Sequence, residues 1–248
     1  MEILEKEFTH LQKVGETDFR ISHSNIKKFV PLKLDLNEYV RECVSWGFDN
    51  EFKEDATHSE KTKKAILGKL GEFGIYKFLK ERGYGVSYPD LEVRKQGDWD
   101  DGDLSIDEKK INIKTTKNFG NLLLLKKADW NPEGNYKWGL RKLPNGNKER
   151  YVDDTYKYFF LCRIKPDIEN LLVIDEETSK DEILSQLSNV KIQFDIPGFI
   201  NIYDFKKIIE KNICIKKGDS IGSRKFTEDL YYCQAGELRD IDQIRKKK

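Results

Sequence analysis

Apolar and polar residues alternate most regularly near the middle of the chain, in the stretch GDWDDGDLSIDEKKINIKTT that spans residues 97–116. A period of two marks a half-buried strand, so residues 103–106 and 111–115 are predicted as strands, with Asp107-Glu108-Lys109-Lys110 as the hairpin loop between them. Ile111, Ile113 and Thr115 then share one face, and Asn112, Lys114 and Thr116 the other. Antiparallel pairing would place Asp103 beside Asn112 and Lys114.

Upstream the period changes to that of a helix. Val40, Cys43, Val44 and Gly47 follow a capping pattern at Asp35 and Glu38, which predicts a short amphipathic helix over 36–46. Thr57-His58-Ser59-Glu60 is the expected start of a second helix that runs to about Leu79 and stops near Gly83. Ala65, Gly68, Glu72, Ile75, Tyr76 and Leu79 fall on one face of it, which puts Glu72 in a small, apolar stripe where a carboxylate needs a partner. That partner is either a metal ion or a neighbouring cation such as Lys69 or Arg82. Gly68, Gly71 and Gly74 each lower helix stability by ~1 kcal/mol, so close approach of a strand or backbone is expected to offset the loss.

Downstream, 85–93 reads as a first core strand, 122–125 as a buried strand, 156–164 (YKYFFLCRI) as a central strand and 169–174 as a short one. Residues 181–187 suit a short helix, 196–202 an extended or turn segment, and 213–216 an edge strand. Asp204 can cap a helix that ends at Ile209. Residues 126–150 are locally basic, with Trp130, Tyr136 and Trp138 interleaved and a turn signal at Pro144-Asn145-Gly146-Asn147. This basic, aromatic hairpin suits nucleic-acid contact through Lys126, Lys127, Lys137, Trp138, Arg141 and Lys142. The alternative is an ordinary hairpin whose aromatics pack on the body of the protein.

Composition narrows the picture. The 248 residues are 36% charged but sum to only +1, so nucleic-acid binding would depend on how charge is distributed. Four scattered cysteines and three histidines, all before residue 60, suggest neither a zinc site nor a disulfide framework. With no signal core and no apolar run long enough for a bilayer, the expectation is a soluble cytoplasmic protein. There is no P-loop, GxSxG or HExxH motif. The organisation expected is an N-terminal helical lead-in, 1–55, packed on an α/β domain, 56–248, that carries the basic insertion 126–150.

An acid, an amide oxygen and an ammonium on one hairpin suit phosphodiester hydrolysis, in which a carboxylate holds a divalent metal and a cation offsets developing charge. Gly102-Asp103-Leu104, a short turn, and Ile111-Asn112-Ile113-Lys114-Thr115-Thr116 resemble the core of the PD-(D/E)xK, or restriction-endonuclease-like, nucleases. Asp103 matches that family's first acid and Lys114 its lysine, while Asn112 stands where Asp or Glu is expected. Glu72, in Leu70-Gly71-Glu72-Phe73-Gly74, matches the additional helical glutamate of many members. Pro89-Asp90 and Glu108-Lys109-Lys110 spell similar motifs but fit the strand order less well.

The resemblance implies an α/β fold with a mixed central β-sheet flanked by α-helices. It also implies a magnesium-dependent DNA endonuclease, of restriction or defence type, in which manganese can substitute. Glu72, Asp103, Asn112 and the Ile113 carbonyl would be the metal ligands, and Lys114 would orient water or stabilise the transition state. Thr115, Thr116 and Lys117 would meet the DNA backbone, and a homodimer would match duplex symmetry. The rivals are a catalytically weak or inactive DNA-binding module with Asn112 marking the lost site, and a nuclease acting on RNA or branched DNA.

Overall fold

The structure, a computed structural model, describes residues 7–13, 19–49, 57–93, 103–137, 140–142, 148–150 and 155–244. Its main elements in chain order are helices α1 (Val40–Asp49) and α2 (His58–Glu81), then strands β1 (Leu104–Ile106), β2 (Lys109–Lys117), β3 (Leu122–Lys126) and β4 (Tyr158–Lys165). Helices α3 (Ile168–Leu171) and α4 (Lys180–Leu187), strand β5 (Gln193–Asn201), helix α5 (Ile202–Glu210) and strands β6 (Cys214–Ile215) and β7 (Leu230–Gln234) follow. The fold is mixed α/β, as expected. Among the described residues no helix is long and apolar enough to cross a membrane.

The chain divides into two compact units that interleave along the sequence. One is built from Phe29–Gly120 and Cys162–Ile196; the other is built from stretches of Met1–Lys28, Asn121–Leu161 and Pro197–Arg245. The boundary expected at residue 55 therefore falls inside the first of these, between α1 and α2, which pack against each other. A four-stranded sheet has the order β1-β2-β4-β5, and its strands β4 and β5 each start in one unit and finish in the other. A three-stranded antiparallel sheet, β6-β7-β3, lies wholly in the second unit.

In the first unit α2 is the structural centre. The Thr57 hydroxyl accepts a hydrogen bond from the Glu60 amide at 3.3 Å, which caps the helix where the sequence predicts, and Gly83, with φ at +74°, follows its end. Every residue from Lys69 to Tyr76 is buried, so α2 is enclosed rather than simply amphipathic. Two of its glycines are contact points. A Cβ on Gly71 would lie 1.8 Å from Thr115 Oγ1 and 2.9 Å from Thr115 Cβ, and one on Gly74 would lie 2.5 Å from the Phe194 ring. Gly68 has nothing within 4 Å of the same position.

The hairpin forms with a tighter turn than expected. Asp107 and Glu108 both adopt positive φ, 48° and 67°, as a two-residue loop requires, so pairing starts at Lys109 and continues through Leu104 opposite Ile111. The strand expected at 85–93 reduces to a bridge between Val86 and Ile106. Pro89 has no N–H to extend a ladder, and the Asp90 carboxylate turns back to accept the Glu92 amide. The segment 169–174 likewise begins as helix α3, because the Asp167 side chain caps it by accepting the Asn170 amide. The predicted helix at 181–187 is present as α4, with a capping box between Ser179 and Glu182.

Of the segment 196–202, expected to be extended or a turn, residues 196–201 are extended in strand β5 and Ile202 opens α5. The cap of α5 is Asn201, with Asp204 as its reciprocal partner three positions into the helix. Cys214–Ile215 is the edge strand expected there, and the 231–233 segment is the buried central strand of its sheet. Trp130 is buried, with ring centroids 5.2 Å from Tyr136, 5.6 Å from Tyr156, 5.3 Å from Phe159 and 5.0 Å from Phe205.

The two helix glycines give a paired test. Gly71→Ala should destabilise the protein by about 1–3 kcal/mol through overpacking against Thr115, whereas Gly68→Ala should stabilise it by up to ~1 kcal/mol through helix propensity. Urea unfolding of both variants measures the difference, and equal effects would contradict the contact.

Candidate active site

The candidate site lies in the first unit and is built from α2 and the β1–β2 hairpin. Glu72 projects from the buried middle of α2 with only 6% of its surface exposed. Three residues earlier on the same face, Lys69 is 1% exposed and its Nζ bonds Glu72 Oε2 at 2.7 Å. That ammonium also donates to the Asp90 carbonyl at 2.8 Å and stands 3.8 Å from the centroid of the Trp46 ring. Of the two cations that the sequence offered Glu72, Lys69 is bonded to it, while the Arg82 guanidinium lies over the Phe78 ring.

Asp103 stands just before β1, one step beyond the Leu104–Ile111 pair and hence next to Asn112 in the register. Its carboxylate accepts the backbone N–H of Ile113. Part of the residue's surface is open, yet its carboxyl group is enclosed by protein, and this desolvation raises its pKa above the usual aspartate value. Lys114, the Ile113 amide and Lys69 oppose that rise by favouring the charged form. Burial pushes the thiols of Cys43 and Cys162 well up, and next in size come the charges of Glu72 on Cys43 and of Asp195, then Asp103, on Cys162. Lys69 is thus bonded to Glu72 and is the smallest of the influences that favour the charged form of Asp103.

The other expected site residues divide as follows. Asn112 is 8% exposed, and its Oδ1 is buried without a hydrogen-bond partner. Lys114 is exposed. Ile113 contributes its N–H to Asp103. Thr115 does not face outward as a backbone-binding residue would: its Oγ1 is buried, also unpartnered, at the close approach of Gly71. Thr116 packs near Gly120, and Lys117 is paired with Asp167 at 2.9 Å and Glu169 at 3.4 Å. Of the two similar motifs, Asp90 spends its carboxylate on a local turn and Glu108 lies exposed in the hairpin loop.

In the second unit the expected DNA-contacting cations have partners of their own. Lys126 pairs with Glu228 at 2.8 Å, Lys127 bonds Asn212 at 2.7 Å, and Lys137 donates to the Ala128 carbonyl at 3.1 Å. Surface contacts of this kind contribute ~0–1 kcal/mol, so they leave the cations available but do not form an unpaired basic stripe. Trp130 and Tyr136 belong to the apolar interior described above. Trp138, the 144–147 turn, and Asp98, Asp100 and Asp101 lie outside the described residues, as do the side chains of Arg141 and Lys142, although 140–142 and 148–150 pair as antiparallel strands.

Among the described residues no three His, Cys, Asp or Glu side chains come together to hold a metal ion. The donors that fit a hard cation are the Asp103 carboxylate and the orphaned Asn112 Oδ1, because magnesium accepts one or two carboxylates and fills its remaining positions with water. A buried acceptor without a donor is costly, and a cation or its water would remove that cost. Lys69 is the site residue whose weight the sequence understated; its spacing three before Glu72 was the available signal.

No family model, no curated protein and no solved structure matches this chain.

The Asp103 environment sets a pH dependence. With the folded pKa raised, the native state holds the Asp103 proton more tightly than the unfolded chain, so this group's contribution to stability is full below the unfolded aspartate value of ~3.9 and is lost as pH rises through the folded one. Asp103→Asn should abolish that fall and raise Tm at neutral pH in the absence of divalent ions. Thermal unfolding from below the unfolded aspartate pKa to neutral pH checks it; parallel profiles for the two proteins would contradict the assignment.

Proposed function

We propose that this protein is a magnesium-dependent DNA endonuclease with a restriction-endonuclease-like core, and that the α2–hairpin cluster is its active site. The observation that carries the reading is the buried, unpartnered Oδ1 of Asn112, the residue next to Asp103 in register, together with the desolvated Asp103 carboxyl group whose charged form the exposed Lys114 favours. Asp103 and Asn112 would hold the ion, which supplies Lewis-acid polarisation of the phosphate and lowers the pKa of water. The Ile113 N–H fixes the orientation of the Asp103 carboxylate. Lys114 would offset the negative charge that builds on the phosphate oxygens, and its exposure leaves it accessible to a polymer substrate.

One observation favours a second reading, a DNA-binding module of the same ancestry with little or no catalysis. Glu72 is neutralised by Lys69, and with Asn at position 112 the cluster retains one carboxylate for a metal.

Nicking of supercoiled plasmid with magnesium or manganese separates these readings. Asp103→Ala and Lys114→Ala should each reduce cleavage by roughly 10²-fold or more; cleavage that survives both would eliminate this site. Plasmid binding without cleavage under either metal would favour the module. Asn112→Asp should raise manganese affinity by roughly tenfold, since it adds a charged oxygen ligand where a neutral one stands. Calorimetric titration reads that change, and an unaltered affinity would mean that the side chain does not face the ion.

A further inference from the structure

Lys69 is more than the ion-pair partner of Glu72. An ammonium has three donors, and here two are spent on Glu72 Oε2 at 2.7 Å and the Asp90 carbonyl at 2.8 Å, with the Trp46 ring 3.8 Å away covering a further side. The group is 1% exposed, so water does not compete for it. Its charge also acts on Asp103, as the smallest of three influences that favour the carboxylate, after Lys114 and the Ile113 N–H. A fixed positive charge paired with a buried acid satisfies that acid electrostatically, as a bound cation would.

We propose that Lys69 is the built-in counter-cation of this site. It withholds Glu72 from the metal and confines a bound divalent ion to Asp103 and Asn112, which makes the site a one-ion centre. Glu72 becomes a metal ligand only when the Lys69 charge is removed. Lys69 is a positioning residue: all the contacts of its ammonium given above are to protein, and it acts on the ion through Glu72 and Asp103. The inference rests on the nuclease reading but concerns which acids the ion meets.

The test is a set of manganese affinities, measured by electron paramagnetic resonance or calorimetry, with thermal unfolding as the control for folding. Lys69→Met should raise affinity about tenfold by releasing Glu72, in the range seen when residues around a metal site are changed. The double variant Lys69→Met/Glu72→Gln removes both members of a buried pair, a change that proteins generally tolerate. It should bind manganese within about threefold of the wild type, because neither residue ligates the ion there. A larger loss in the double variant would show that Glu72 already ligates in the wild type and would overturn the proposal, as would unchanged affinity in a folded Lys69→Met protein. If Lys69→Met fails to fold, the double variant decides alone. Asp103→Asn, measured alongside, addresses the nuclease reading separately: it should abolish binding, and undiminished binding would sink that reading whatever the Lys69 variants do.

Discussion

The contact between Gly71 and Thr115 is the constraint on which the first unit depends. A helix whose side chains stood between it and a sheet would lie farther from the strands. Here the missing Cβ at Gly71, and again at Gly74 against the Phe194 ring, lets the α2 backbone settle close to β2 and its neighbours. Glu72, between those glycines, is carried into the interior by the same approach. The glycines weaken the isolated helix, and the packing they permit is what restores it. The location of the buried acid is therefore a consequence of backbone proximity, and its need for a cation is a consequence of that location.

Local features of this architecture were legible in the chain because they depend on residues a few positions apart. The Thr57 cap, the stop at Gly83 and the short helix at 181–187 each need only neighbouring residues, and each forms near its expected place. Alternation around Ile111 and Ile113 gave the hairpin, although the tightness of its turn depended on Asp107 and Glu108 accepting positive φ. Pro89 and Asp167 contain the signals that shorten one expected strand and convert another to helix; both are local, and were outweighed by the apolar residues around them.

The site was legible in its residue types more than in its wiring. Asp103 beside Asn112 follows from register, and the helical position of Glu72 from periodicity. What the sequence did not disclose is that Lys69 receives Trp46 from α1 and the Asp90 carbonyl from the segment after α2, since those contacts arise only once distant stretches are packed together. The basic stretch after residue 126 was open to two readings for the complementary reason. Its charge content suggested an exposed binding surface, but Trp130 serves the apolar interior, and the lysines described there find partners of their own.

The interleaving of the two units has a consequence for how the chain can be assembled and dissected. The backbone leaves the first unit after Gly120, returns at Cys162 and leaves again after Ile196, so the segment that completes it emerges some forty residues after its helix and hairpin. During synthesis those earlier elements must wait, with their inner surfaces uncovered, until the later strand halves arrive. No single backbone cleavage can liberate either body intact, and an isolated version of the α2–hairpin unit would require new linkers that splice its separate stretches together.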